Sequence, residues 1–332
     1  MAAASAALRW RLLYICRRMN QSQNWPRIAV VGAGAVGGYF GGMLANAGAH
    51  VTMIGRQHFV DSVSQNGLFH DTLHFRKHIS VHASTELSAV EGSQLILFCV
   101  KTVDTVSTAR DLAPFLARDE NFLCLQNGVE NAQQIREATE INALPAVVYV
   151  AASVPQPGHI KHVARGDLVL PASPATQAPT KIFERASIPC RLTDNIEGEL
   201  WAKLLWNCAL NAISALGQAR YGEIAASADA CRVMQAVVDE FWDVAHAAGV
   251  RLPNLPDQAA GMAGVLKIAT QMSEAMSSTA QDIQRGRRTE IDALNGYISR
   301  RATQLGVDAP VNHALFTLVK LLEASSAVQV KK

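Results

Sequence analysis

The segment Gly32-Ala33-Gly34-Ala35-Val36-Gly37 constrains the fold of this chain more than any other. It spells G-x-G-x-x-G, a pattern that means little alone but has a mechanism between a strand and a helix. Arg27-Ile28-Ala29-Val30-Val31 before it is a short β-branched run ending at glycine, which predicts a buried strand. Ala35 to Ala47 after it is small and apolar, with Gly48 as a C-cap, which predicts a helix. His50-Val51-Thr52-Met53-Ile54 reads as the next strand. The unit is therefore βαβ, which implies a parallel sheet and a right-handed crossover. In such a turn the first glycine makes the bend and the second lets backbone N–H groups approach a pyrophosphate. The third lets helix and strand pack closely, and the helix N-terminus faces the phosphates. Gly32, Ala33, Gly34, Ala35, Val36 and Gly37 are thus candidate dinucleotide-binding residues. The competing reading is a tight strand-to-helix turn that binds nothing.

The alternation continues downstream. Leu95-Ile96-Leu97-Phe98-Cys99-Val100 is an apolar strand pattern running into Lys101, and Asn121 to Leu125 is another, running into Gln126-Asn127-Gly128. Val147 to Val150 is a third, and Val103 to Leu116 between them is helical. From Ser153 to Leu170, paired prolines and alternating residues predict a β-hairpin. Beyond Asp194 helical periodicity takes over, broken at Gly249 to Pro256 and Gly306 to Pro310. The expected fold is an α/β Rossmann-type dinucleotide-binding domain over residues 25–194, followed by an all-α domain for substrate and catalysis over 195–325. Residues 326–332 read as a frayed tail.

Residues 1–24 carry Arg9, Arg11, Arg17 and Arg18 and no acid. Two readings stand: a targeting presequence, or an ill-ordered tail from an upstream start codon with Met19 as the true start. Either way we expect the extension to be disordered. Leu12 to Cys16 is too short an apolar core for a secretory signal.

Composition excludes several classes. A formal net charge of +2 over 332 residues, with no basic stripe, argues against a nucleic-acid partner. No apolar run reaches the roughly 20 residues of a membrane span. Cys16, Cys99, Cys124, Cys190, Cys208 and Cys231 show no C-x-x-C spacing, which points to a reducing compartment without disulfides and so to the cytoplasm. The chain is expected to be a monomer or a homodimer.

Two features narrow the chemistry. The second strand ends in Gly55-Arg56, where an NAD site carries Asp or Glu. A guanidinium matches a 2′-phosphate, so NADP(H) is the expected cofactor, against the alternative of a surface arginine. Within Trp201 to Leu216 the strong hydrogen-bonding residues are Lys203, Asn207, Asn211 and Ser214, at spacings that place all four on one helix face. Burying that stripe without partners would cost roughly 1–3 kcal/mol per group. A substrate is one candidate partner and a helix–helix polar network is the other. A desolvated lysine also has its pKa lowered, which suits proton transfer. A second polar run, Ser277 to Asp292, reads by default as a solvated helix face. His70, His74, His78 and His82 recur every fourth residue, but Leu68 to Val81 alternates like a strand or hairpin, so no metal site is expected.

Taken together these segments resemble the ketopantoate reductases (2-dehydropantoate 2-reductases). The resemblance is carried by Val31 to Gly38, Cys99-Val100-Lys101-Thr102, Gln126-Asn127-Gly128-Val129, Trp201 to Asn211, and Ser278 to Asn295 with its Arg288-Thr289-Glu290-Ile291-Asp292 run. It extends over residues 27 to about 320. It implies NADPH-dependent reduction of 2-dehydropantoate, a small 2-keto acid, to pantoate on the way to pantothenate and coenzyme A. Lys203 falls on the family's catalytic lysine and Glu290 on its glutamate; Asn207, Asn211 and Ser278 fall on substrate positions. Asn127 falls at the cofactor–substrate junction, and Arg56 and Lys101 on cofactor positions near the 2′-phosphate; Asn127 and Glu290 also count toward the cofactor. Leu170-Pro171-Ala172 departs from the family, which has a glycine-containing turn there. Two alternatives remain: a reductase of the same family acting on another 2-keto acid, and a non-catalytic NADP-binding redox sensor.

Overall fold

The computed structural model describes residues 25–117 and 120–329. The N-terminal extension at 1–24 lies outside the described residues. The chain divides into two compact units. The first runs to Gln126 and resumes over Ala132–Leu192; the second holds Asn127–Asn131 and everything from Thr193.

The first unit opens with β1 (Arg27–Val31), α1 (Ala35–Asn46), β2 (His50–Ile54) and α2 (Gln57–Asn66). A short excursion follows through β3 (Leu68–Asp71), β4 (Arg76–Ile79) and β5 (His82–Ser84), before β6 (Leu95–Phe98), α3 (Thr105–Leu112) and β7 (Asn121–Cys124). Then come α4 (Asn131–Ala138), β8 (Ala143–Pro145), β9 (Val147–Ser153), β10 (His159–Pro171), α5 (Gln177–Arg185) and β11 (Cys190–Thr193). Six strands form one sheet in the order β5-β2-β1-β6-β7-β8, every pair parallel. This is a Rossmann-like arrangement. Both faces of the sheet are covered, which explains why its central strands β1 and β6 are nearly continuous apolar runs rather than alternating. Ile28 and Val30 of β1 point into a core with Phe40 and Leu44 of α1. Ala29 and Val31 point the other way, into a core with Ala109 and Leu112 of α3 and Ile135 of α4.

A second sheet, ordered β11-β10-β3-β4 with β9 also on β10, belongs to the same unit. The expected hairpin is present but longer, with β9 antiparallel to β10 from Val147 onward. The segment Val147 to Val150 is therefore a strand, but not one of the parallel sheet. β8 takes that place, and Pro145, which has no N–H to donate, ends it at the sheet edge. The four-spaced histidines do not share one strand. His70 lies on β3, His78 on the antiparallel β4, His74 in the turn between, and His82 on β5 in the other sheet. Among the described residues no three His, Cys, Asp or Glu side chains are grouped to hold a metal.

The second unit comprises α6 (Ile196–Gly217), α7 (Tyr221–Ala226), α8 (Ala228–Ala247), α9 (Gln258–Gln271), α10 (Ser278–Gln284), α11 (Asn295–Leu305) and α12 (Pro310–Gln329). Breaks fall at the two expected stretches, Gly249 to Pro256 and Gly306 to Pro310, and also at 218–220, at 227, over 272–277 and over 285–294. Asn195 caps α6, accepting from Gly198 N at 3.0 Å, and Glu197 and Glu199 in the first turn suit the positive helix end. Leu204, Leu205 and Cys208 of α6 pack into a core with Val237, Phe241, Val265 and Ile298. Each fully buried Leu or Phe there contributes about 1.5–3 kcal/mol. Two expectations are corrected. The run Ser277 to Asp292 is not one solvated helix face: α10 stops at Gln284, and Thr279, Ile283 and Thr289 are buried. The supposed tail from 326 stays helical through Gln329, since neither Pro nor Gly interrupts it. No helix among the described residues is long and apolar enough to cross a membrane.

Candidate active site

In the first unit, β1, β2 and β6 end level with one another: Val31 is in register with both Ile54 and Phe98. Their following loops therefore emerge along one edge, at the point where the strand order reverses, which is where open α/β sheets bind ligands. Gly32 sits at φ +99°, its N–H and that of Ala33 donating to Ile54 O at 3.0 and 3.1 Å. A Cβ at Gly32 would stand 2.7 Å from the Cys99 carbonyl carbon, so the position excludes side chains twice over, by conformation and by space. At Gly37 a Cβ would collide with the Gly32 carbonyl oxygen and with Val30.

Gly34 is different. It is the N-cap of α1, it makes no side-chain cap, and a Cβ there would meet no heavy atom within 4 Å. No packing contact among the described residues requires it to be bare. Its bareness leaves room for a ligand to approach the backbone N–H groups of the α1 N-terminus, as a pyrophosphate would. Gly55 lies against this turn, since a Cβ there would be 3.0 Å from the Ala33 Cβ. Arg56 follows it as the exposed N-cap residue of α2, and half-buried Lys101 follows β6 at the same edge. The residues present thus fit a dinucleotide.

The second unit holds the other group. Lys203, on α6, donates from Nζ to Asn127 Oδ1 at 2.8 Å, and Asn127 Nδ2 donates to Glu290 Oε2 at 3.0 Å. Only this orientation of the carboxamide gives the ammonium an oxygen and the carboxylate an N–H. Asn127 therefore joins Lys203 to Glu290. Its own backbone is held by Asn131, whose Nδ2 donates to Asn127 O at 2.7 Å. Gly128, at φ +93°, packs against Ala293, just past Glu290.

The stripe on α6 divides between its two readings. Asn207 is half-buried, one turn from Lys203. Farther along, Asn211 is buried and accepts the Tyr221 hydroxyl at 3.2 Å. Burial pushes that hydroxyl's pKa up, so it stays a donor. Ser214 Oγ donates to Ala219 O at 2.8 Å and accepts Ser277 N at 3.1 Å, while Ser277 Oγ donates to Asn211 O at 3.1 Å. The lower half of the stripe is thus part of a helix–helix network, and Lys203 at its upper end meets Asn127. Ser278 is exposed as the first residue of α10.

Three residues to which the sequence assigned no role hold the site's loops. Gln126 is buried and ties the loops after β6 and β7, donating to Val100 O at 3.0 Å and Thr105 Oγ1 at 2.7 Å. Thr289 and Glu323, beside Glu290, bond each other at 2.5 and 2.6 Å. Their separation of 34 positions leaves no local signal.

Comparison with known proteins returns one consistent family. The model described as "Ketopantoate reductase PanE/ApbA" matches residues 28–175, and its C-terminal counterpart matches 195–323. The chain is 31% identical over 305 residues to the 2-dehydropantoate 2-reductase of Pyrococcus horikoshii, covering 90% of this chain and 98% of that protein. A crystal structure of a PanE/ApbA family ketopantoate reductase from Ralstonia eutropha JMP134 is 44% identical, with a TM-score of 0.86 over 90% of this chain and 99% of that one. A D-mandelate dehydrogenase bound to NADH and anilino(oxo)acetate is 25% identical, with a TM-score of 0.83 over 90% of this chain and 99% of that one.

Proposed function

Since the chain belongs to the ketopantoate reductase family of oxidoreductases, we propose that it reduces the C2 carbonyl of 2-dehydropantoate with NADPH, giving (R)-pantoate for pantothenate and coenzyme A synthesis. The observation that carries this reading is the linkage Lys203–Asn127–Glu290. When bound, NADPH supplies the hydride that C2 receives. The Lys203 ammonium polarises the carbonyl oxygen and gives it a proton as the hydride arrives, so that a ketone becomes a secondary alcohol. Asn127 Oδ1 orients the ammonium. Glu290, bonded to the other end of the same carboxamide, fixes which way that carboxamide faces. Asn207 and Ser278 are assigned to the substrate's carboxylate and hydroxyl, holding C2 for attack, while Asn211, buried and bonded to Tyr221, braces the helix that carries Lys203 and Asn207. The glycine turn takes the pyrophosphate, and Arg56 with Lys101 takes the 2′-phosphate.

The test is steady-state kinetics with 2-dehydropantoate, followed by NADPH absorbance. Turnover is expected, and Lys203→Ala should lower kcat by roughly 10²–10⁴, the usual contribution of general acid catalysis. A loss within about tenfold would remove Lys203 from the acid role. A second reading, another 2-keto acid as substrate, is favoured by the likeness to a D-mandelate dehydrogenase holding an aryl-bearing oxo acid. A panel that includes phenylglyoxylate separates the two by kcat/KM.

A further inference from the structure

Glu290 is a single residue in a loop, yet its neighbours on both sides are tied to the C-terminal helix. Thr289 donates twice to Glu323 Oε1, from its backbone N at 2.6 Å and from Oγ1 at 2.5 Å. Ile291 N in turn donates to Thr289 Oγ1 at 3.2 Å. On the far side, Asp292 Oδ2 accepts Lys320 Nζ at 2.9 Å, and Lys320 is 3.0 Å from Glu323 Oε2. Glu323 thus spends one oxygen on Thr289 and the other on Lys320, and Lys320 closes the bracket on Asp292. The bracket is well shielded at its centre: Thr289 is 1% exposed and the Glu323 side chain 10%. A carboxylate taken this far out of water persists only when charge-assisted bonds compensate it. The helix that carries the bracket is itself pinned at its start, where Glu240 accepts Val311 N at 2.7 Å and Asn312 N at 2.9 Å.

We infer that Glu323 is a positioning residue: through Thr289 and the Lys320–Asp292 arm it holds the loop that presents the Glu290 carboxylate to Asn127, and so sets the state of Lys203. The inference rests on the catalytic reading of Lys203 and Glu290. A lone helix-to-loop tie would need one contact. Here four bonds span both sides of one carboxylate that itself reaches the amide held by Lys203.

The direction of the effect follows from electrostatics. A carboxylate held near an ammonium favours its charged form. Releasing Glu290 therefore lowers the pKa of Lys203 and moves the alkaline limb of the kcat profile to lower pH. Glu323→Ala is expected to lower kcat by roughly 10- to 100-fold, the scale of a small misplacement at a reacting site. In a Glu290→Gln background the same substitution should cost little more, because the group it acts on has already been neutralised. Glu323→Gln keeps an oxygen for Thr289 and should restore most of the loss. It also serves if the alanine variant does not fold, through its smaller shift of the same sign.

The experiment has an arm independent of turnover: the Lys203 Nζ titration followed by ¹⁵N NMR in wild-type protein and Glu323 variants. A downward shift in the variants supports the inference even if 2-dehydropantoate is not a substrate, an outcome that would count only against the proposed reaction. An unmoved Lys203 titration in folded Glu323 variants overturns the inference, as does full additivity with Glu290→Gln.

Discussion

A lysine in an apolar helix announces itself in sequence, but the residue that gives it direction does not. Lys203 and its carboxamide partner Asn127 are 76 positions apart, and Asn127 and Glu290 are 163 apart. Spacing could place Lys203, Asn207, Asn211 and Ser214 on one face; it could not show that the face divides, with Asn211 and Ser214 bonded to α7 and α10 neighbours. Lys320 and Glu323 were invisible for the opposite reason, since a charged pair three apart on a helix looks like ordinary surface. Arg56 is a case where one residue's chemistry makes a sharp prediction. It is exposed, it lies immediately after β2, and it has a guanidinium where an acid would repel a 2′-phosphate. Arg56→Ala should raise KM for NADPH about tenfold or more while leaving that for NADH nearly unchanged, because a charge-assisted contact to a phosphate is worth about 1.5–3 kcal/mol. The measurement is kcat/KM with each coenzyme, and an unaltered ratio removes Arg56 from the 2′-phosphate.

At the scale of elements, β1, α1 and β2 were legible because local pattern and final packing agree. β8 and β9 were not: four apolar residues at Val147 look the same whether they extend the parallel sheet or turn away from it, and Pro145 decides the matter by closing the edge. The run after Ser277 misled for a related reason. Its charges are real, but Gly286, at φ +61°, ends the helix locally, with Arg287 N donating back to Asp282 O at 2.9 Å, and Thr289 is buried by contacts from distant segments that no local pattern encodes. The first turn of α1 offers a test that separates packing from binding. Gly37 is bare because the strand lies against it, whereas Gly34 has none of the described residues packed within 4 Å of its missing Cβ. Gly37→Ala should destabilise the protein by about 1–3 kcal/mol, the usual cost of overpacking. Gly34→Ala, at φ −80°, should leave the melting temperature within a degree or two. It should nevertheless weaken coenzyme binding by about tenfold or more, by standing where the pyrophosphate approaches the backbone. Melting curves and coenzyme titrations on both variants check this, and equal binding by Gly34→Ala and wild type would show that no phosphate approaches there.

At the scale of the whole molecule, a feature that couples stability to pH lies in the first unit, far along the chain from Lys203. His70 is 0% exposed, neither ring nitrogen has a hydrogen-bond partner among the described residues, and its ring packs against Gly42, Tyr39 and Phe75. Burial first, and then the neighbouring His162, lower its pKa to about 4 from the ordinary 6.5. Its neutral form is the one the fold accepts. Above pH 6.5 the imidazole is neutral in both folded and unfolded chains, and the residue imposes no penalty. As pH falls from 6.5 toward 4, the unfolded chain binds a proton that the folded chain refuses, so stability is lost across that window. The loss reaches about 2 kcal/mol by pH 5 and about 3 kcal/mol by pH 4, at 1.36 kcal/mol per pKa unit. This is a substantial part of the roughly 5–15 kcal/mol that holds a folded protein together. Carboxylates elsewhere add their own acid dependence, so the informative quantity is a difference. Urea unfolding at pH 7.5 and at pH 5 should show wild-type protein losing about 2 kcal/mol more on acidification than His70→Met, which fills the same space without a titrating group. Equal losses in the two proteins would mean that the folded chain protonates His70 as readily as the unfolded chain does.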